Sequence, residues 1–316
     1  MFNTTRTTTK KFWQVALLAC MLALPLSFTG VTIFCAVDDF MLSFLPQMKA
    51  SQLAMGKQRQ RSGQLWPSEV MTILIHFHQS HYRTFKAYYT EYVQVHLRGE
   101  FPNLVSYPRF VALIPPMMIP MLAYLQSRYG VCTGISFIDS TSLEVCNPKR
   151  ISQHRVFAAD ARRGKSSMGW LYGFKLHLAV NDRGELLACC LTPGNVDDRT
   201  PVPQMVEHLR GKLIGDRGYI SAPLTALLKE QGLHLITHLR NNMKNHLMHL
   251  SDKLLVRKRA IIESIIDQLK NFSQIEHSRH RSPTNFVVHL IAGLLAYSHQ
   301  AKKPGLHLDQ RPLLAA

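Results

Sequence analysis

Three acids stand out by their setting. Leu213–Tyr219 (Leu-Ile-Gly-Asp-Arg-Gly-Tyr) is a short apolar run that closes on Asp216 between two glycines. It reads as a buried strand delivering a carboxylate to the carboxyl end of a sheet, where catalytic groups gather. Gly134–Thr141 (Gly-Ile-Ser-Phe-Ile-Asp-Ser-Thr) is a second apolar strand ending on an acid, Asp139. Val256–Phe272 is helical in period and carries Glu263 among Arg259, Ile262, Ile266 and Lys270. Any one of these acids could be only a turn or a helix cap. Together they suit a hard, oxygen-seeking cation such as magnesium, which binds through carboxylates and substrate phosphates. A pair of such ions about 3.5–4 Å apart can drive an in-line displacement at phosphorus. The acids lie 77 and 47 residues apart, compatible with two neighbouring strands crossed by a helix.

Arg259, Glu263 and Lys270 are spaced to share one helix face, since their full separation is close to three turns. A cation beside the acid keeps it ionised and offers charge to phosphates. The plainer alternative is a salt-bridged solvent face.

The composition agrees with a phosphate-seeking role. The 316 residues carry a net charge of +17, with 37 Lys and Arg against 20 Asp and Glu. Such an excess answers to phosphates or an anionic surface, and the cations cluster at Arg257–Arg259 and His277–Arg281. The six cysteines form no Cys-x-x-Cys pair, which excludes the common zinc-site spacings and fits a reducing compartment.

The elements that must position these acids follow in order. Residues 1–31 hold Lys10-Lys11 and the apolar run Val15–Leu26, a signal-like segment read as a non-native or mis-started extension. Residues 32–130 read as helical. Trp66-Pro67-Ser68-Glu69 is a helix start, and Val70, Ile73, Leu74 and Phe77 form a core stripe. With its aromatic and basic residues, this unit is expected either to read DNA or simply to pack.

From 131 to 300 the pattern is strand, hairpin, helix, strand, helix, strand, helix, which is an α/β mixed sheet. Asn181-Asp182-Arg183-Gly184 is the hairpin turn. Residues 147–170 form a loop rich in cations, including His154, Arg155 and Lys165, placed to grip phosphates. Residues 301–316 are expected to be a loose tail.

Several stretches match a known pattern: Ile33–Phe40, Phe137–Thr141, Gly173–Leu178, Leu191–Arg199, Gly215–Tyr219 and Asp252–Pro283. From about Thr32 to Lys303 the chain resembles bacterial insertion-sequence transposases of the DDE class, specifically the insertion-sequence 982 family. The resemblance implies a ribonuclease H-like mixed sheet flanked by helices, with an N-terminal helical DNA-binding domain. It places Asp139, Asp216 and Glu263 on the family's two Asp and one Glu. Related transposases carry a Tyr-x2-Arg-x3-Glu-x6-Lys signature on the Glu helix, and here the Tyr position is Val256.

The expected function is a DNA transposase. Asp139, Asp216 and Glu263 are expected to bind two magnesium ions, with manganese as the substitute. Arg259 and Lys270, with Arg155 and Lys165, hold DNA. The partners are terminal inverted repeats and target DNA, handled by a homodimer or higher synaptic complex. The expected location is the cytoplasm, on the nucleoid, without stable membrane association. The alternatives are a ribonuclease H-like nuclease that does not join strands, an inactive DNA-binding relic, and a membrane-anchored protein resting only on Val15–Leu26.

Overall fold

The structure, a computed structural model, describes residues 25–54, 64–166, 169–238, 248–276 and 280–306. Most of the expected N-terminal extension, the basic stretch Gln58–Arg61, most of Asn241–Leu250 and part of the His277–Arg281 cluster lie outside those residues. The chain divides into two compact units. One comprises residues up to Ser127 together with Thr284–His299, and the other Arg128–Pro283 with the residues from Gln300 onward.

The first unit is helical. Helix α1 (Pro25–Ala54) takes up, in its first turns, residues assigned to the extension. Its buried positions Val31, Ile33, Phe34, Val37, Asp38 and Met41 fall on one side of the helix. Helix α2 (Pro67–Phe77) starts where the sequence predicts: the Glu69 carboxylate accepts from the Trp66 backbone N–H at 2.7 Å. Ten of its eleven residues are buried, so it runs through the centre of the unit rather than along its surface.

A helical segment follows over residues 85–96, π-helical from Tyr88 to Val93. Helices α3 (Tyr107–Leu113) and α4 (Met118–Ser127) complete the N-terminal part. The stretches Gly30–Met48 and Tyr107–Ser127 are long and apolar enough to cross a membrane by length and composition. Here they bury Val37, Met41, Phe110 and Tyr124 inside the unit.

In the second unit β1 (Ile135–Glu144) is central. It pairs antiparallel with β3 (Gly169–Asn181) on one side and parallel with β5 (Gly211–Gly215) on the other. Beyond β5 lies β6 (Leu233–Thr237), again parallel. The far edge of β3 is shared by two strands in tandem, β2 (Arg162–Ser166) and β4 (Leu186–Pro193). This is the mixed sheet the sequence predicts, with helices α5 (Ala222–Glu230), α6 (Leu250–Arg257) and α7 (Ala260–Asn271). Leu213, Leu224, Leu228 and Leu233 are among the residues that form the core between α5 and the sheet.

The β3–β4 turn is built as its residues dictate. The Asn181 side-chain carbonyl accepts from the Arg183 and Glu185 backbone N–H groups at 3.0 and 2.9 Å, and Gly184 has φ +77°. The segment expected to be a loose tail is, as far as Leu306, tied to this turn. The Leu306 N–H donates to the Asp182 carbonyl at 2.8 Å, and a side chain at Gly184 would meet the Pro304 carbonyl.

Three further expectations are corrected. Residues 162–166 form strand β2 where a loop was expected, because they pair in register with Gly169–Gly173. The expected single helix over Val256–Phe272 is broken between Arg257 and Ala260. The last helix, α8 (Pro283–Ser298), groups with the N-terminal helices rather than closing a domain that ends at 300. It is buried nearly all round: Gln79 donates to its Ala296 carbonyl at 3.0 Å, and Phe77 meets the His289 ring edge-on.

Candidate active site

Strands β1 and β5 pair Ile135 with Lys212, Ser136 with Leu213 and Phe137 with Ile214. Carried two residues further, the same register sets Asp139 opposite Asp216. Strand β5 ends at Gly215, whereas β1 runs on to Glu144 beside β3. Asp139 is therefore not the end of its strand, as its sequence suggests, but sits in the middle, where the parallel partner leaves and one edge of β1 opens. An antiparallel neighbour continues the strand beyond the acid, and a single-strand reading of the sequence does not contain that neighbour.

Each acid is held by local bonds. Asp139 Oδ1 accepts from the Ser140 N–H at 2.8 Å, and Oδ2 accepts from Arg259 Nη1 at 2.9 Å. Asp216 caps the single turn Arg217–Tyr219 by accepting from the Gly218 N–H at 2.8 Å. Burial pushes the Asp139 carboxyl above its ordinary range and nearby Asp216 adds to the rise, while the Ser140 N–H and Arg259 oppose it.

Glu263 lies on the first turn of α7, which packs against β1. The Arg259 guanidinium bridges it to Asp139, with Nη2 donating to Glu263 Oε1. Asp139 and Arg259 are each 20% exposed and Glu263 is 55% exposed. Arg259 thus belongs to the junction before α7 and faces the acids, instead of sharing a helix face with Lys270. Lys270 bonds Glu276 at 3.3 Å.

Other groups that the sequence reading left without a role surround the pair. Tyr219 is buried, and its phenol is pushed well above the ordinary value by burial and by Asp139, Asp198 and Asp216. Lys175 on β3 reaches Asp198 at 3.0 Å and the Val196 carbonyl at 2.9 Å. Arg199 grips Asp197 through two bonds and extends to the Ile220 carbonyl. The loop after β4 is thereby fastened beside the Asp216 turn. His177, opposite Ser140, bonds Thr192 at 2.8 Å, and burial brings its pKa down to about 4. The clue in the sequence was proximity: Tyr219 and Asp198 lie inside the Gly215–Tyr219 and Leu191–Arg199 stretches.

The other expected DNA contacts are dispersed. Arg155 is exposed next to the short 3-10 helix Pro148–Gln153. Lys165 is exposed on β2. His154 is stacked on Phe157 rather than presented to solvent.

Residues 129–283 match a protein-family model. The match is to a transposase DDE domain. It takes in β1 through α7, and with them Asp139, Asp216 and Glu263, and it supports a DDE-type transposase, an enzyme class of DNA transposition and recombination. No curated protein matches the sequence. Among solved structures, similarity is found to a cryo-EM structure of a piggyBac transposase synaptic complex with hairpin DNA. The identity is 11% and the TM-score 0.43, with 89% of this chain and 75% of that one covered. At so low a TM-score the likeness carries no argument.

DDE domains generally use divalent metals. Asp139, Asp216 and Glu263 offer only hard carboxylate oxygens, the donor type such an ion takes. The guanidinium lodged between Asp139 and Glu263 marks a place where positive charge is favoured. Among the described residues no three acids, histidines or cysteines are gathered closely enough to ligate one ion. Arg259 is the cation that Asp139 and Glu263 hold.

Proposed function

We propose that the chain is a DNA transposase that cuts at the ends of an insertion sequence and joins them to target DNA. The observation that carries this reading is the register of β1 and β5, which puts Asp139 across from Asp216 inside the segment matched by the DDE domain family. Asp139, Asp216 and Glu263 are the residues to hold two divalent ions, magnesium or in its stead manganese. Those ions would supply Lewis-acid activation of the attacking oxygen and stabilise the leaving one.

The protein's own groups do the rest. The Ser140 N–H fixes one oxygen of Asp139, and the Gly218 N–H fixes one of Asp216, so both carboxylates are aimed before substrate arrives. Arg259 stands where it can pass from the acids to a DNA phosphate. Lys270 is a weaker candidate for phosphate contact beside the acids, since it is already paired, and Arg155 and Lys165 are exposed on other segments, where they would meet DNA away from the acids. A ribonuclease H-like reading of the sheet is supported by the central strand carrying the first acid and its parallel neighbour delivering the second.

We assign the helical unit to recognition of the element's ends and the active form to a dimer or larger synaptic assembly. Both come from the needs of the reaction, which must bring two ends together. The proposed location is the cytoplasm, on DNA.

The test is an incubation of purified protein with magnesium and a plasmid carrying the element's ends, with Asp216→Ala as control. End cleavage plus joined products, both lost in the variant, is the expected result. Nicking without joining would leave a ribonuclease H-like nuclease, and DNA binding with neither would leave a binding relic.

A further inference from the structure

The β2–β3 ribbon carries a surface that the acids do not account for. Lys165 pairs across the strands with Trp170, and Arg163 with Tyr172, so all four side chains share a face. Tyr172 turns into the fold against His154. Trp170 stays 54% exposed, the Arg163 guanidinium lies 4.6 Å from its ring centre and the Lys165 ammonium 6.0 Å. Neither cation is ion-paired among the described residues.

The other face of the ribbon is closed. A side chain at Gly164 would run into the Gly194 carbonyl, and the Gly194 N–H donates to the Gly173 carbonyl at 2.9 Å. The fold therefore clamps one face on its own loop and leaves a tryptophan beside two cations exposed.

An exposed aromatic beside two cations on a two-stranded ribbon suits the sugar–phosphate wall of a DNA groove, where the ring can cover deoxyribose and the cations meet phosphates. A β-ribbon also has the width of the DNA major groove. We propose that this face binds duplex DNA at a distance from the acids. Trp170 lies against the groove wall, and Arg163 and Lys165 lie on the flanking phosphates. Asp139 is opposite Leu178, eight residues along β3 from Trp170. At roughly 3.4 Å per residue the contact falls about 27 Å from the acids, or about eight base pairs along a duplex. The inference rests on the transposase reading for its ligand class and extends it to a place on the DNA.

The test is equilibrium binding of the full chain to a fluorescent duplex, and to a single strand of the same sequence, over a range of salt. Trp170→Ala is expected to weaken duplex binding roughly tenfold at unchanged salt dependence, as apolar contact with the groove wall is lost. Arg163→Ala with Lys165→Ala is expected to lower the slope of log affinity against log salt by about 2. Duplex affinity and slope equal to those of the unaltered chain would overturn the inference and leave the tryptophan a structural staple. An effect of Trp170→Ala confined to the single strand would overturn it too. If the unaltered chain bound no DNA, the transposase reading would fall as well. Cleavage and joining are not read in this assay, so their failure is separate.

Discussion

Arg259 decides how the acids coexist. Asp139 is largely buried beside Asp216, an arrangement that costs free energy whenever both are ionised. The guanidinium offsets that cost through charged hydrogen bonds to Asp139 and Glu263. Arg259→Gln should therefore destabilise the sheet unit by about 1–2 kcal/mol at neutral pH, read by urea unfolding. The loss should shrink toward about pH 4, because a protonated Asp139 needs no cation.

The sign follows from the upward shift of Asp139. Its favourable contribution is complete below the ordinary carboxylate value and is lost as pH rises through the raised one. A loss for Arg259→Gln that is the same at both pH values would mean the arginine acts by packing alone. His177 shifts the other way. Its imidazole falls to about 4, so the stability it gives is present above its ordinary value of 6.5 and is lost as pH drops toward 4. A His177 ring resonance in NMR should accordingly stay neutral at pH 6. Titration near 6.5 would contradict its burial.

Helix α2 shows what a wholly buried element demands of its polar residues. Glu69 caps its own helix yet is 3% exposed, and burial with neighbouring Asp38 lifts its pKa from 4.5 to about 7 against the pull of the Trp66 N–H. Ionised Glu69 thus weakens the helical unit, and more so as pH climbs from 4.5 through 7. Glu69→Gln keeps an accepting oxygen for the cap and removes the charge. It should raise stability at pH 8 by up to about 3 kcal/mol and change little at pH 5, measured by thermal unfolding. Equal effects at both pH values would show that the carboxylate is not held neutral. The same helix was legible in sequence, since its cap residues and apolar stripe mark its start and face. Its burial on all sides was not, because α8, which covers it, lies more than two hundred residues away.

At the scale of the whole chain the helical unit is discontinuous. Residues 284–299 return to it after the sheet unit is complete, bringing Phe286, Val288, Leu290, Ile291, Leu294 and Leu295 into its core. A chain ending at Pro283 would still span the segment matched by the DDE domain family. It should nonetheless lose the helical unit as a cooperative structure. Proteolysis is expected to cut between residues 25 and 127 of that truncated chain at least tenfold faster than in the full chain, as a core stripped of a central helix opens. Equal resistance would show that the N-terminal helices close without α8.

By itself the sequence determined the local matters. The strand that ends just before Asp216, the hairpin at Asn181–Gly184, the start of α2, and the positive charge all follow from residue type and spacing. So did the mixed sheet, because period-two and period-3.6 stretches alternate along residues 131–300. Only the tertiary structure decided who stands beside whom. It showed that Asp139 is mid-strand, that Arg259 leaves the helix to bridge two acids, that β2 is a strand, and that Tyr219 and Asp198 ring the site. Each of these is fixed by a partner distant in sequence, through strand register, burial or charge. Periodicity along one segment carries no record of the segment that will pack against it.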